Sequence, residues 1–216
     1  MQFLDHDAYL ELSADADVLE ADRYGEKVLR LSDGTFLKLF RRKRLFTSAV
    51  LYPYAQRFAD NSELLHRCRI PCPHVLGVYR VATLARDAVH YIPLPGETLR
   101  QIYRVPDEGN HEELKAHLGT FVAKLHDQGI FFRSLHLGNI VLTPEGALGL
   151  IDIADLKRQR LPLSPHKRLR NFRHMLRYAV DRNWLLGDSA QVFLAAYLAG
   201  NKKLDNAKFI DQLKSL

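Results

Sequence analysis

The sequence predicts an α+β fold in two lobes, a β-rich part over residues 1–95 and a mainly helical part over residues 96–216. Three observations carry this. Short runs of alternating apolar residues, separated by turn residues, fill the first part. A proline-bounded stretch, Pro93-Leu94-Pro95-Gly96-Glu97-Thr98-Leu99, marks a linker whose prolines fix its path. Beyond it helical spacing dominates, most strongly from Glu112 to Gln128, where Leu114, Leu118, Phe121, Val122 and Leu125 share one face.

Taken in order, residues 1–16 read as a short lead-in. Val18-Leu19-Glu20, residues 27–31 and residues 35–40 read as three strands of an antiparallel meander, with Gly25 and Ser32-Asp33-Gly34 in the turns. A helix from about Thr47 to Cys68 follows, interrupted by Pro53 and ended by Ile70-Pro71-Cys72-Pro73. Residues 75–81 and 88–92 complete a five-stranded antiparallel sheet with one helix. In the second part Gly129 is placed to close the long helix in the left-handed conformation, and further helices are expected over 165–183, 188–199 and 204–215.

With 216 residues and 47% hydrophobic content the chain can bury a core, which excludes a disordered protein. The formal charge of +6 favours anionic partners, phosphates or an acidic membrane face. Nucleic acid is not expected, because neither interleaved aromatics nor a known motif accompanies the charge. Cys68 and Cys72 are too few and too close for a disulfide framework. His66, Cys68, Cys72 and His74 crowd around Pro71 and Pro73, a poor geometry for zinc, so buried thiols are expected instead. The opening Met1-Gln2-Phe3-Leu4-Asp5 has no basic n-region, and no apolar run approaches the roughly 20 residues that span a bilayer. A cytoplasmic protein with at most peripheral contact to the inner membrane is expected.

The chemistry concentrates between Leu125 and Asp155. An Asn at the start of one short strand (Asn139-Ile140-Val141-Leu142) and an Asp at the end of the next (Leu150-Ile151-Asp152) supply two oxygen donors suited to one divalent cation. This order, behind a β-rich lobe and a linker, resembles the protein-kinase-like fold. Within it the chain is most similar to the bacterial lipopolysaccharide-core kinases, which phosphorylate heptose or Kdo sugars. The resemblance covers roughly residues 17–200. It implies ATP and Mg²⁺ as cofactors, with Lys38 of Leu37-Lys38-Leu39 on the ATP phosphates and Glu63 of Asn61-Ser62-Glu63 holding that lysine. Asn139 and Asp152 inherit the metal, Asp152 standing in Ile151-Asp152-Ile153-Ala154 where Asp-Phe-Gly is usual.

Three departures qualify what the resemblance implies. The family's His-Arg-Asp reads Phe132-Arg133-Ser134, and a serine hydroxyl is no base near neutral pH without its own activator. His136 and Asp155 are the candidates to replace the lost proton acceptor. The first hairpin carries Gly25 but no G-x-G-x-x-G, and Ala154 replaces a glycine that would permit flipping of the segment. Where a peptide platform would lie, Lys157, Arg158, Arg160, Lys167, Arg168, Arg170, Arg173, Arg177 and Arg182 read as a basic surface that suits a phosphorylated sugar or an anionic lipid. The expectation is therefore an ATP/Mg²⁺-dependent phosphotransferase acting on a lipopolysaccharide core sugar. The alternative is a pseudokinase that binds nucleotide or a partner without turnover.

Overall fold

The computed structural model describes residues 1–42, 52–105, 111–187, 190–199 and 206–215. Of the helix expected from about Thr47, residues 47–51 lie outside the described residues, and Tyr52 is a bend rather than helix. The chain forms two compact units: Met1–Leu94 with Asp152–Asp155, and Pro95–Ile151 with Leu156–Leu216.

The first unit is built on a sheet of six strands, not five. They are β1 (Gln2–Leu4), β2 (Asp17–Asp22), β3 (Gly25–Arg30), β4 (Phe36–Arg41), β5 (His74–Val81) and β6 (Arg86–Ile92), in the order β1-β5-β6-β4-β3-β2. Strand β1 is the addition, and it runs parallel to β5, so the sheet is mixed at that edge. Three residues are too few to show an alternation, which is why the lead-in reads as structureless in sequence. Helix α1 (His6–Leu12) follows at once, started by Asp5, whose side chain accepts from the Ala8 N–H at 2.8 Å. Its Tyr9 is buried on Leu29, Leu31, Leu37, Leu39, Val81 and Ala88. The odd-numbered residues of β4 therefore face α1. The even-numbered ones, Phe36, Lys38 and Phe40, point to the opposite face.

That opposite face is covered by α2 (Tyr54–Arg67), which begins directly after Pro53. Phe58 packs on Tyr91, with ring centroids 5.1 Å apart, and on Phe40 at 6.5 Å. Ala55 and Leu65 continue the buried stripe, and the Ser62 hydroxyl donates to the Pro73 carbonyl at 2.6 Å. Both cysteines are buried thiols, and Cys72 Sγ lies 3.5 Å from the Ser62 carbonyl.

The second unit opens with β7 (Glu97–Thr98), which pairs antiparallel with Leu142 and Val141, and α3 (Leu99–Arg104). A reciprocal capping box between Thr98 and Gln101 starts α3, inside the stretch that reads as linker in sequence. Helix α4 (His111–Asp127) buries Leu118, Phe121, Val122 and Leu125 and ends at Gly129, whose φ is +74°. A side chain there would put its Cβ 2.3 Å from the Gln159 carbonyl oxygen, so glycine is required by space as well as by conformation.

Strand β8 (Ile130–Phe132) pairs with β11 (Leu156–Arg158), and β9 (Ile140–Leu142) pairs antiparallel with β10 (Leu148–Leu150). Helices α5 (Pro165–Met175), α6 (Ala179–Leu186), α7 (Ala190–Ala199) and α8 (Asn206–Lys214) complete the unit. The single helix expected over 165–183 is thus two. The chain turns extended at Tyr178 (φ −93°, ψ 126°), which frees that ring to pack beside the Ser134 loop. Phe172, Phe193, Tyr197 and Phe209 form the aromatic core beneath α4.

Candidate functional site

In the first unit the site begins at Lys38. Its neighbours across the ladder are Val28 and Val89, so a lysine stands between two buried valines and can only extend outward from the α2 face. Its Nζ lies 2.6 Å from Asp152 Oδ1, and the lysine side chain is 16% exposed against 46% for the aspartate. Asp152 has a φ of +53°, an uncommon backbone state in which Asp is among the tolerated residues. This state comes two residues after β10, whose last residue is Leu150, and the carboxylate there meets Lys38. The next residues, Ile153–Asp155, form a 3₁₀ turn held against α2, where the buried Asn61 donates to the Ile153 carbonyl at 2.8 Å. Burial first, and the Asp152 charge after it, push the nearby Tyr91 phenol well above its ordinary range.

Glu63 does not meet Lys38. Two residues along a helix turn the side chain by about 200°, so Glu63 points away from the side on which Asn61 is buried, and it is exposed. The lysine's partner is Asp152, and the inward position on α2 belongs to an amide. A helical stripe through Ala55, Phe58, Ser62 and Leu65 marks that inward face in the sequence, and Asn61 lies beside it. Asp155, half-buried, ends the 3₁₀ turn in this same unit.

In the second unit Ser134, His136 and Asn139 share one loop. Asn139 is buried, and its Nδ2 donates to the Ser134 carbonyl at 2.9 Å, which fixes the amide orientation and presents Oδ1 as an acceptor. The Asn139 carbonyl accepts from the Ile151 N–H at 3.0 Å, tying the loop to the residue that precedes Asp152. Among the described residues the Ser134 hydroxyl makes no hydrogen bond. The His136 ring stands edge-on to Tyr178, with centroids 5.6 Å apart. Arg100 lies over the same Tyr178 ring at 4.5 Å, donates from Nε to the fully buried Asp181 at 3.0 Å, and binds it again through Nη2. A Cβ on Gly138 would stand 3.0 Å from Arg100 Nη1, so glycine lets the guanidinium approach the loop. Sequence reading misses Arg100 and Asp181. The Thr98-x-x-Gln101 capping box places Arg100 on a helix, but nothing local pairs it with a residue 81 positions away.

A buried relay holds the strand that leads into this loop. Arg168 is only a donor, and its Nη1 donates to the Tyr197 hydroxyl oxygen at 3.2 Å. The Tyr197 proton then goes to His126 Nδ1 (2.8 Å), His126 Nε2–H donates to Asn171 Oδ1 (3.2 Å), and Asn171 Nδ2 donates to the Phe132 carbonyl (2.6 Å). These directions are those of a neutral imidazole protonated on Nε2. Burial, with the Arg168 charge second, pushes the His126 pKa down to about 3.

The Asp152 carboxylate and the Asn139 amide are each hard oxygen donors of the kind Mg²⁺ takes beside phosphates, whereas zinc prefers thiolate and imidazole. Among the described residues no cluster of three or more His, Cys, Asp or Glu could hold a metal ion.

No protein-family model and no curated protein sequence matches the chain. Solved structures do. The structure of WaaP in complex with acyl carrier protein aligns with a TM-score of 0.63 at 15% identity, over 100% of this chain and 97% of that one. WbdD bound to the kinase inhibitor LY294002 aligns with a TM-score of 0.49 at 14% identity, over 88% of this chain and 42% of that one. The similarity to WaaP spans the whole chain, and with the mixed sheet and helices above it shows that the chain shares that protein's α+β fold.

Proposed function

We propose that the chain is an ATP- and Mg²⁺-dependent phosphotransferase whose acceptor is a sugar of the lipopolysaccharide core. The observation that carries this reading is the Lys38–Asp152 pair, a cation and a carboxylate brought together from positions 114 residues apart. Lys38 would hold the ATP phosphates, while Asp152 and Asn139 Oδ1 would hold the metal. Mg²⁺ supplies neutralisation of the phosphate charge. Phosphoryl transfer has a loose transition state, so positioning and charge carry most of the catalysis, and the loss of a carboxylate at Ser134 slows the reaction without abolishing it. His136 and Asp155 are the two groups to test as proton acceptor, by His136→Gln and Asp155→Asn.

Charge beside the loop supports an anionic acceptor. Burial first, and then Arg133, Arg170, Arg177 and Arg173, push the His174 pKa down, so positive potential accumulates next to Phe132-Arg133-Ser134. A phosphorylated sugar satisfies it through charge-assisted, bidentate contacts. The same surface suits peripheral contact with an anionic membrane face. Among the described residues no helix is long and apolar enough to cross a membrane.

One observation favours the second reading, a nucleotide-binding pseudokinase: among the described residues the Ser134 hydroxyl makes no hydrogen bond to a base. Titration with Mg·ATP followed by melting temperature tests both readings together, and an unchanged melting temperature at millimolar nucleotide defeats both. Phosphate transfer to dephosphorylated core oligosaccharide then separates them. Turnover by the unaltered chain that is lost in Asn139→Ala and Asp152→Ala supports the enzyme. Turnover gained only in Ser134→Asp supports the pseudokinase.

A further inference from the structure

The first unit carries a second concentration of cationic groups, at the far end of β4 from its turn. A cavity of about 430 Å³ is lined by Tyr24, Arg41, Arg42, Leu84, Ala85 and Arg86. Arg41 and Arg86 are directly opposite each other on β4 and β6. Like charges in that relation repel, so the arrangement costs stability unless something anionic compensates it. Because residues opposite in a ladder share a face, both arginines belong with Leu37 and Leu39 on the side of the sheet away from Lys38.

Arg86 is the telling residue. It is only 8% exposed, and among the described residues it forms no ion pair; its Nη2 donates to the Tyr24 carbonyl. A buried guanidinium is ordinarily paired with a carboxylate. The acids near it are engaged elsewhere: Asp22 accepts from the Tyr24 N–H at 2.8 Å, Glu26 lies 3.4 Å from the Tyr9 hydroxyl, and Asp87 takes Arg80 at 3.0 Å. Arg41 stacks over the Tyr24 ring at 3.8 Å, which holds its guanidinium in place beside the hairpin tip. The Arg42 N–H donates to the Ala85 carbonyl at 3.2 Å, closing the ladder at the pocket's edge.

We propose that this pocket is a binding site for a phosphate group carried by a small anionic ligand, distinct from the site around Lys38 and on the opposite face of the sheet. Guanidinium groups fixed by stacking and by a backbone hydrogen bond match phosphate oxygens in a planar, bidentate way that a solvated lysine surface does not. The volume lies within the range of small-molecule sites and leaves room beyond one phosphate for a sugar, a nucleoside or a lipid headgroup. Leu84, Ala85 and the Tyr24 ring supply the apolar wall for that remainder.

The test uses the full chain in a Lys38→Met background, so that phosphate held at Lys38 does not contribute. Pyrophosphate is titrated against sodium chloride at matched ionic strength while the melting temperature is recorded. The expected result is a saturable rise, about 3–6 °C at ten times Kd, that disappears when Arg41→Gln and Arg42→Gln are added. Both of these arginines are exposed, so the variant keeps the fold, which circular dichroism verifies; Arg86→Gln is the second variant and should weaken binding at least tenfold. A second arm uses vesicles of phosphatidylglycerol and of phosphatidylcholine. Binding to the former that is lost in Arg41→Gln/Arg42→Gln identifies the phosphate as a headgroup, and a response to pyrophosphate alone identifies a soluble ligand. A response that survives in Arg41→Gln/Arg42→Gln, or no saturable response to either probe, overturns the proposal.

Discussion

Replacing His126 with Gln should flatten the acid limb of the chain's stability curve, and the structure gives the size of the effect. In the folded chain His126 is fully buried, accepts from Tyr197 and donates to Asn171, with its pKa pushed down to about 3. In the unfolded chain it titrates near 6.5. Above about pH 6.5 both states are neutral and His126 contributes no pH dependence. Below it the unfolded state takes up a proton that the folded state refuses until about pH 3, so stability falls as pH falls. The slope is about 1.4 kcal/mol per pH unit, or about 2–3 kcal/mol between pH 6.5 and pH 4.5. Urea denaturation at intervals from pH 7.5 to 4.5 measures it. The Gln variant is less stable at neutral pH, because the Tyr197 and Asn171 bonds are rebuilt imperfectly. The gap between the two proteins should nevertheless narrow by about 2–3 kcal/mol toward pH 4.5, since background carboxylates and His174 are common to both. Parallel curves would refute the neutral relay, as would a His126 ring resonance that titrates near pH 6.5.

Three further outcomes are expected. The Lys38–Asp152 pair is partly solvated, so Lys38→Met should cost no more than about 1 kcal/mol in urea denaturation while removing most of the Mg·ATP-induced thermal shift. Glu63→Gln should leave that shift within error, whereas Asn61→Ala strands the buried Ile153 carbonyl and should cost about 1–3 kcal/mol, with weaker nucleotide binding as Asp152 loosens; equal effects of the two substitutions would count against the assignment of α2's inward face. Gly129→Ala combines a left-handed backbone, about 1–2 kcal/mol, with a Cβ 2.3 Å and 2.6 Å from two backbone oxygens, and should lose at least about 3 kcal/mol, read by chemical denaturation; a loss under about 1 kcal/mol would show that residues 159–161 yield easily.

What was legible in the sequence, and what was not, divides along the range of the interactions. The hairpin strands, the α4 stripe and Gly129 depend on period and on local backbone state, and both can be read within a few residues. The six-stranded sheet escaped because β1 is three residues long and owes its existence to β5, more than 70 positions away. The break between α5 and α6 has no proline or glycine to mark it; Tyr178 leaves the helix for a place against His136 and Arg100. The same limit governs the candidate site. Lys38, Asn139 and Asp152 stand in motifs with fixed order, which is how they were picked out; the structure pairs Lys38 with Asp152, and the metal and phosphate roles stay part of the proposal. Glu63 was read from a carboxylate in the right segment, but helix phase decides which residue faces inward, and the buried stripe of α2 turns Glu63 outward. Asn61, Arg100, Asp181 and Asn171 act through partners that no local pattern names.

The departures share a direction that bears on the proposed chemistry. Where the resemblance implies a glutamate to hold Lys38, the fold uses Asp152 itself, and α2 contributes Asn61 to brace the segment after it. Where it implies an aspartate to take a proton, Ser134 stands with its carbonyl, not its side chain, engaged by Asn139. Groups that neutralise or position charge are thus retained on short, buried supports, and the group that would move a proton is gone. In a reaction with a loose transition state the first kind contributes most of the rate, because charge on the transferring phosphoryl group must be met whether or not the acceptor hydroxyl is deprotonated early. On that reasoning Ser134→Asp should change the rate by less than Asn139→Ala does. The reverse order would place proton transfer, rather than charge neutralisation, at the limiting step.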